Sequence, residues 1–330
     1  TDWGINHDDR FLVVSPLAHR AGLGRLMNAM TLGGTLVMLP GFDADKIIDT
    51  IEREAITVFG MVPTICRMLL PALERAPDRC RTLRLAPVTG EAFAVELKQR
   101  FMALLPDTRL VSFFGMTEAG AISNLAHEEQ VSHPRSVGRA APGVEVRIVA
   151  QDGRDVADGT VGEIVVRSGQ PGVFTVMKGY LNRSEETARA LMDGWFFTGD
   201  LGYRDNDGYL YIVDRKKDMI LSGGFNVYSK EVEQTILEIE GVADAAVVGI
   251  PDAEFGEAVV AFVERKQGGP LTAEQVVAHC RSAIASYKKP RHVHFVDALP
   301  RNAVGKVLKH QLAERARALH AVTGATGPQG

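Results

Sequence analysis

Residues Gly194 to Tyr228 read GWFFTGDLGYRDNDGYLYIVDRKKDMILSGGFNVY. Two strand-like runs, Trp195–Phe197 and Tyr209–Val213, flank a polar turn, Arg204–Gly208, whose Asn206-Asp207-Gly208 is a hairpin signature. An acid, Asp200, and a base, Arg215, stand at the edges of this hairpin. A charged pivot, Arg215–Asp218, and a glycine pair, Gly223-Gly224, follow. Hairpin, acid, base and glycine-rich turn within 35 residues is an unusual density of position-specific chemistry.

Upstream, apolar runs alternate with helical periodicity. Strand-like runs lie at Phe11–Val14, Thr35–Leu39, Thr57–Val62, Leu83–Val88 and Leu110–Phe114. Helical patterns lie at Asp43–Glu54, after Pro63, and at Val95–Leu104, with Asp43 able to cap the first and Pro63 to open the second. Alternation of this kind implies parallel pairing and an α/β domain, whose ligands bind beyond the carboxyl ends of the strands. Thr89-Gly90-Glu91 and Gly115-Met116-Thr117-Glu118 lie just past two such ends. After Pro142 the runs shorten, with Val144–Val149 and Glu163–Val166 reading as strands of a β-barrel-like subdomain. From Met219 onward a helix capped by Ser229, strands at Val242–Ile250 and Ala258–Glu264, a helix over Thr272–Ile284, the strand His292–Val296 and a last helix near Leu308–Leu319 read as a small α+β domain. The expected fold class is therefore α/β: a partial large N-terminal domain over 1–142, a β-rich subdomain over 143–216, a small mobile C-terminal α+β lid over 217–320 and a flexible tail over 321–330.

Bulk properties narrow the function. The 330 residues are 45% hydrophobic, and a net charge of −4 with a pI near 6.2 gives no basic field for nucleic acid. No apolar run reaches membrane-span length. Three scattered cysteines, Cys66, Cys80 and Cys280, form no C-x-x-C pair, which fits a reducing, cytoplasmic setting. His292 and His294 share a strand face, but no third ligand lies near them in sequence.

The ordered motifs Pro16-Leu17-Ala18-His19, Thr89-Gly90-Glu91, Phe114-Gly115-Met116-Thr117-Glu118, Gly162-Glu163-Ile164, Thr198-Gly199-Asp200, Asp214-Arg215-Lys216-Lys217-Asp218, Ser222-Gly223-Gly224-Phe225-Asn226 and Pro300-Arg301-Asn302-Ala303-Val304-Gly305-Lys306 resemble the adenylate-forming superfamily of acyl-CoA synthetases, luciferases and peptide-synthetase adenylation domains. The resemblance implies ATP/AMP, Mg²⁺ and coenzyme A as cofactors. It also implies a two-step ligation of a carboxylic acid to a thiol and a C-terminal domain that rotates between the steps. A homodimer is carried as an alternative to the monomer.

By that resemblance Asp200 takes the ribose hydroxyls and Arg215 a ribose or phosphate oxygen. Phe114 stacks on adenine, with Thr89, Gly90, Glu91 and Gly115 bordering it. Thr117 offers a hydroxyl to phosphate and Glu118 an oxygen to Mg²⁺. Lys306 bridges carboxylate and α-phosphate, His19 stands near the acyl pocket, Lys217 is the hinge, and Gly223 and Gly224 admit a pantetheine arm. The Ala18 before His19 departs from the aromatic usual in the family. The resemblance also places a Ser/Thr/Gly-rich phosphate loop ahead of Thr1, so the chain alone is expected to lack full activity. Val58–Thr64, Val88 and Phe113–Gly120 are expected to line the acid pocket, with a medium- or long-chain fatty acid as first expectation and an aryl or alicyclic acid as second. The alternatives are an adenylation domain serving another acceptor and a catalytically silent nucleotide-binding module.

Overall fold

Short apolar runs separated by amphipathic helices assemble into the first of two compact units, in a computed structural model that describes residues 3–90, 93–169, 176–266, 271–302 and 305–323. The units are residues 1–198 with 202–212, and residues 199–201 with 213–330. The change of unit falls at 212/213, a little before the boundary expected at 216/217.

The first unit opens with β1 (Arg10–Val13), α1 (Arg20–Leu32), β2 (Thr35–Met38), α2 (Ala44–Arg53), β3 (Val58–Phe59), α3 (Pro63–Arg75), β4 (Leu85–Val88), α4 (Val95–Leu104), β5 (Arg109–Met116), β6 (Gly120–Leu125) and β7 (Arg139–Ala140). Local chemistry explains the boundaries. The Asp43 carboxylate accepts from the Lys46 amide at 3.1 Å and so starts α2. Pro63 starts α3, where its missing N–H costs nothing. Ile47, Ile48 and Ile51 form the buried face of α2 and pack with Phe59, Leu69, Leu73 and Phe101. The strand order is β2-β1-β3-β4-β5-β6-β7, parallel from β2 to β5.

Two features differ from expectation. The fifth strand does not end at Phe114 but runs to Met116, because β6 turns back and pairs with it antiparallel across a bulge between Phe114 and Gly115. The parallel sheet thus gains an antiparallel edge, β6 and β7, which the mixed run Gly120–Leu125 had not announced. Gly115 is required there: a Cβ would stand 2.5 Å from the Gly120 carbonyl oxygen.

A second sheet follows, built of β8 (Val144–Val149), β9 (Gly162–Ser168), β10 (Leu191–Met192), β11 (Trp195–Arg204) and β12 (Leu210–Arg215), with α5 (Ser184–Ala190) before β10. Its order is β10-β11-β9-β8, with β12 also on β11. The expected hairpin is present, but its first strand is longer than Trp195–Phe197, so Asp200 lies within β11 rather than at its edge. Its turn is closed by Asp205, whose carboxylate accepts from the amides of Asp207 at 3.0 Å and Tyr209 at 2.8 Å.

The second unit contains β13 (Ile220–Ser222), β14 (Phe225–Val227), α6 (Ser229–Leu237), β15 (Val242–Asp252), β16 (Gly256–Arg265), α7 (Ala273–Ala283), β17 (His292–Val296) and α8 (Lys309–Thr323). Strand alternation gives its sheet two apolar faces. Ala245 and Val247 of β15 join the core of α6 and α7, whereas Ala246 and Val248 face that of α8. Thr272 and Gln275 form the expected capping box of α7. Ser229 does not cap α6. Tyr228 holds the N-cap position, and the Ser229 hydroxyl donates instead to Asp214 at 3.1 Å. Residues 324–330 of the expected tail lie outside the described residues.

All three cysteines are buried and free. Burial pushes the thiols of Cys66 and Cys80 up to about 12 and that of Cys280 to about 11, so none is a nucleophile at neutral pH. Among the described residues no helix is long and apolar enough to cross a membrane.

Candidate active site

In the first unit the relevant groups gather at the carboxyl ends of the parallel strands. Thr89 follows β4, its amide donating to the Met61 carbonyl at 3.3 Å. Gly90 adopts φ 100°, with Val62 Cγ1 only 3.3 Å from where a Cβ would stand. Glu91 lies outside the described residues. Thr117 is exposed in the turn after β5. Glu118 is held from two sides: its Oε1 accepts the Tyr180 hydroxyl at 3.0 Å, and its carbonyl accepts the Met177 amide at 2.6 Å. Burial first, then Glu118, pushes the Tyr180 hydroxyl up, so it stays a proton donor. Phe114 is 8% exposed and packs with Ala119, Ile122, Ile148 and Ile164. Core packing is the role this geometry displays; stacking on adenine remains a proposal. His19 precedes α1 with an exposed ring that makes no capping bond.

In the second unit Asp200 is 3% exposed and meets Arg215 Nε at 2.9 Å. Burial pushes its carboxyl up, while Arg215, Lys230 and Lys306, in that order of charge effect, pull it back. Lys306 is held down by burial, then by Arg215 and Lys217, with Asp200 opposing. One desolvated carboxylate thus sits among three cations, with the charge of Lys217 reaching Lys306, an excess of positive charge suited to a phosphate-bearing anion. Sequence reasoning missed Lys230, whose charge reaches this cluster from the first turn of α6.

The backbone of the lysine loop is fixed by its own hydrogen bonds. The Lys306 amide donates to Asn302 Oδ1 at 3.0 Å, the Asn302 amide to the Lys306 carbonyl at 2.9 Å, and Arg301 Nη1 to the Gly305 carbonyl at 2.7 Å. Ala303 and Val304 of this motif lie outside the described residues. Lys217 sits in a turn in which the Asp218 and Met219 amides donate to the Arg215 carbonyl, at 2.9 Å and 3.0 Å. Beneath that turn runs a polar network that no local pattern revealed. Fully buried Asp214 takes Ser229, whose hydroxyl is 2.6 Å from Lys309 Nζ, and Lys309 in turn pairs with Glu233 at 2.6 Å. Such a network fixes the start of α6 to α8.

Gly223 and Gly224 form the two-residue turn between β13 and β14, with φ of 59° and 81°, the backbone of a primed hairpin turn. Beside it opens a cavity of about 220 Å³, lined among others by Gly223, Phe225, Phe255, Tyr287, Lys289 and Arg291. The rings of Phe225 and Tyr287 stack with centroids 4.7 Å apart, and the Arg291 guanidinium lies 3.7 Å from the centre of the Phe255 ring. Phe225 is 56% exposed and Tyr287 43%. Two exposed aromatic surfaces thus stand beside two cations, a combination chemically suited to a flat heterocycle bearing phosphate. His292 and His294 are met by His320, with Nε2 of His294 and His320 3.3 Å apart, yet among the described residues no three His, Cys, Asp or Glu are grouped to hold a metal.

Comparison with known proteins places these features. Residues 1–181 match the family model described as AMP-binding enzyme, and residues 231–306 match that of the AMP-binding enzyme C-terminal domain. The chain is 39% identical over 319 residues to a (methyl-dioxo-octahydro-indenyl)propanoyl:CoA ligase from Rhodococcus jostii, covering 94% of this chain and 59% of that protein. It is 37% identical over 308 residues to a long-chain-fatty-acid–CoA ligase from Bacillus subtilis, covering 93% and 54%. The crystal structure of ATP-bound MatB from Rhodopseudomonas palustris superposes with a TM-score of 0.88 at 34% identity, covering 96% of this chain and 62% of that one. The chain therefore spans between half and two thirds of the length of these relatives.

Proposed function

Since the chain belongs to the AMP-binding enzyme family, we propose that it carries most of an AMP-forming ligase that joins a carboxylic acid to the thiol of coenzyme A. In the first half-reaction the acid's carboxylate oxygen attacks the α-phosphorus of ATP. The bond from that phosphorus to the bridging oxygen breaks, and pyrophosphate leaves. In the second half-reaction the thiol sulfur attacks the acyl carbon, AMP leaves, and the thiol proton passes to solvent.

The observation that carries this reading is the buried Asp200 carboxylate held among Arg215, Lys230 and Lys306. An ionised aspartate accepts both vicinal hydroxyls of a ribose, and the cations answer the phosphates. Lys306 neutralises charge that builds between carboxylate and α-phosphate. Phe114 borders the adenine, with Thr89, Gly90 and Gly115 behind it. Thr117 offers its exposed hydroxyl to phosphate. Glu118 has one carboxylate oxygen left after Tyr180, which fits Mg²⁺: that ion takes one or two protein carboxylates and fills its shell from phosphates and water. Bound there, Mg²⁺ would neutralise phosphate charge. His19, exposed ahead of α1, borders the acyl end.

The cavity beside Gly223 suits the adenosine 3′-phosphate end of coenzyme A, with the glycine turn leaving the backbone open to the pantetheine arm. The relatives differ in their acids, a fused-ring propanoate in one and a long-chain fatty acid in another, so the acid is argued separately below.

Full-length protein carrying this chain is expected to exchange pyrophosphate into ATP only when a carboxylic acid is present. Phe225→Ala combined with Lys289→Ala should raise KM for coenzyme A about tenfold or more, by loss of one exposed stacking surface and one phosphate contact, and leave exchange unchanged. Equal loss of exchange and transfer in the double variant would refute the acceptor assignment. Absence of exchange with a broad panel of acids would favour the silent nucleotide-binding module.

A further inference from the structure

Helix α1 carries an arginine, Arg25, that no hydrogen bond or ion pair among the described residues employs. The Arg25 guanidinium lies against Gly60, the residue that follows β3: a Cβ added to Gly60 would stand 2.6 Å from Nε and 2.9 Å from Cζ. Part of the side chain remains accessible, but Nε is enclosed and has no hydrogen-bond partner. Among the described residues no carboxylate pairs with it. Burial alone pulls its pKa down to about 10, which leaves it a cation at neutral pH. An enclosed charge kept for stability is normally paired, because an unpaired ion taken out of water loses its hydration without recompense. An arginine retained without a partner beside a segment expected to line the acid pocket is the pattern of a group whose partner arrives with the ligand.

Its position is specific. Gly60 stands at the carboxyl end of β3. On the same helix, exposed Arg20 extends toward Gly120, with Nη2 3.6 Å from where a Cβ there would stand. Gly120 opens β6, directly after the Thr117-Glu118 turn. Both glycines belong to the segments expected to line the acid pocket; at Gly60 the Arg25 guanidinium takes the place a side chain would fill, and at Gly120 only Arg20 approaches it. A pocket for a plain alkyl chain would present only apolar groups here, since a methylene tail cannot compensate a cation.

We propose that Arg25 is the distal recognition group of the acid pocket and that the acid activated carries a second carboxylate. The guanidinium fork binds this second carboxylate in bidentate fashion, while the first carboxylate is presented to the α-phosphate. Arg20 adds positive potential at the rim near Gly120. The substrate class is thus dicarboxylic, with the two acid groups separated by the depth of the pocket. This inference rests on the adenylate-forming reading above and replaces the fatty acid as first expectation.

The test is pyrophosphate exchange by the full-length protein with matched pairs: hexanoate against adipate, octanoate against suberate, and 4-phenylbutyrate against 4-(2-carboxyphenyl)butyrate. At least one diacid should exceed its monoacid by about 10²-fold or more in kcat/KM, the scale on which a site built for a polar group rejects an analogue lacking it. Arg25→Met should erase that preference by lowering the diacid value about 10²-fold while leaving the monoacid unchanged or improved, and it should not lower Tm. Arg25→Lys should restore part of the preference. Gly60→Ala, which displaces the guanidinium without removing its charge, should weaken the diacid selectively. Monoacids preferred throughout by the wild type, or equal losses on both members of each pair in Arg25→Met, would overturn the inference and leave the ligase reading standing. No exchange with any acid would overturn both.

Discussion

Lys306→Ala lowers the rate of adenylate formation by about 10²–10³-fold, the cost of deleting one preorganised group from a charged transition state. The loss appears in kcat of pyrophosphate exchange rather than in thioester formation from preformed acyl-adenylate. The fold should be untouched: among the described residues Lys306 belongs to no buried apolar cluster of its unit, and substitutions away from such clusters usually stay within about 0.5 kcal/mol. A pH signature accompanies the rate. Burial and the neighbouring Arg215 and Lys217 hold Lys306 below the ordinary lysine value. Its charge is therefore present at neutral pH and lost, as pH rises, sooner than in a free lysine. Exchange should fall along an alkaline limb that begins below the usual lysine range. Lys306→Arg keeps its charge across that range and should flatten the limb, even where its fork geometry slows the reaction. Thermal denaturation and exchange at stepped pH measure both effects.

Lys217→Pro separates the half-reactions in the opposite sense. Its amide appears in none of the described hydrogen bonds of the turn, which use the amides of Asp218 and Met219. Its φ is not among the positive ones. Neither observation forbids proline in the conformation described here, in which Lys306 shares the charge field of Asp200. What proline forbids is a later change of φ. Exchange should fall no more than about threefold, through the restriction proline places on Lys216. Thioester formation should fall about 10²-fold or more, if the turn must change its angles between steps. Parallel loss of both steps would remove Lys217 from the hinge role.

Much of the fold was legible because its signals are local. Asp43, Pro63 and Thr272 mark helix starts through bonds within one turn of chain, and Gly223-Gly224 marks a turn that demands left-handed backbone. Elements fixed by distant partners were not legible. The Gly120–Leu125 strand carries no strong period and exists because β5 and β7 flank it. Helix α5 contributes no residue to the buried core, so it lacks an apolar stripe to read. Ser229 looked like a cap because its chemistry suits one, but Asp214 at a separation of 15 residues claims its hydroxyl.

The same division holds at the site. Asp200, Arg215, Lys306 and the Gly223 turn sit in ordered motifs and could be named from the sequence. Lys230 and Tyr180 could not, because their relevance comes from proximity created by folding. The buried cations were equally hidden. Lys98 is 3% exposed, donates to the Pro134 carbonyl at 2.9 Å, and is pulled down to about 8 by burial. Arg25 lies on a helix whose sequence reads as ordinary amphipathic chain. Lys98 satisfies itself on backbone and needs no ligand; Arg25 Nε has no such partner. That contrast is why only the second supports an inference about substrate.

The central claim is that the acid's own oxygen attacks the α-phosphorus of ATP. The direct measurement uses a carboxylic acid bearing isotopically heavy oxygen in its carboxylate, turned over by the full-length protein with ATP and coenzyme A, followed by mass spectrometry of the nucleotide product. AMP carrying one heavy oxygen is expected, with pyrophosphate unlabelled. Heavy oxygen in inorganic phosphate with ADP as the nucleotide, or AMP without label, would contradict it.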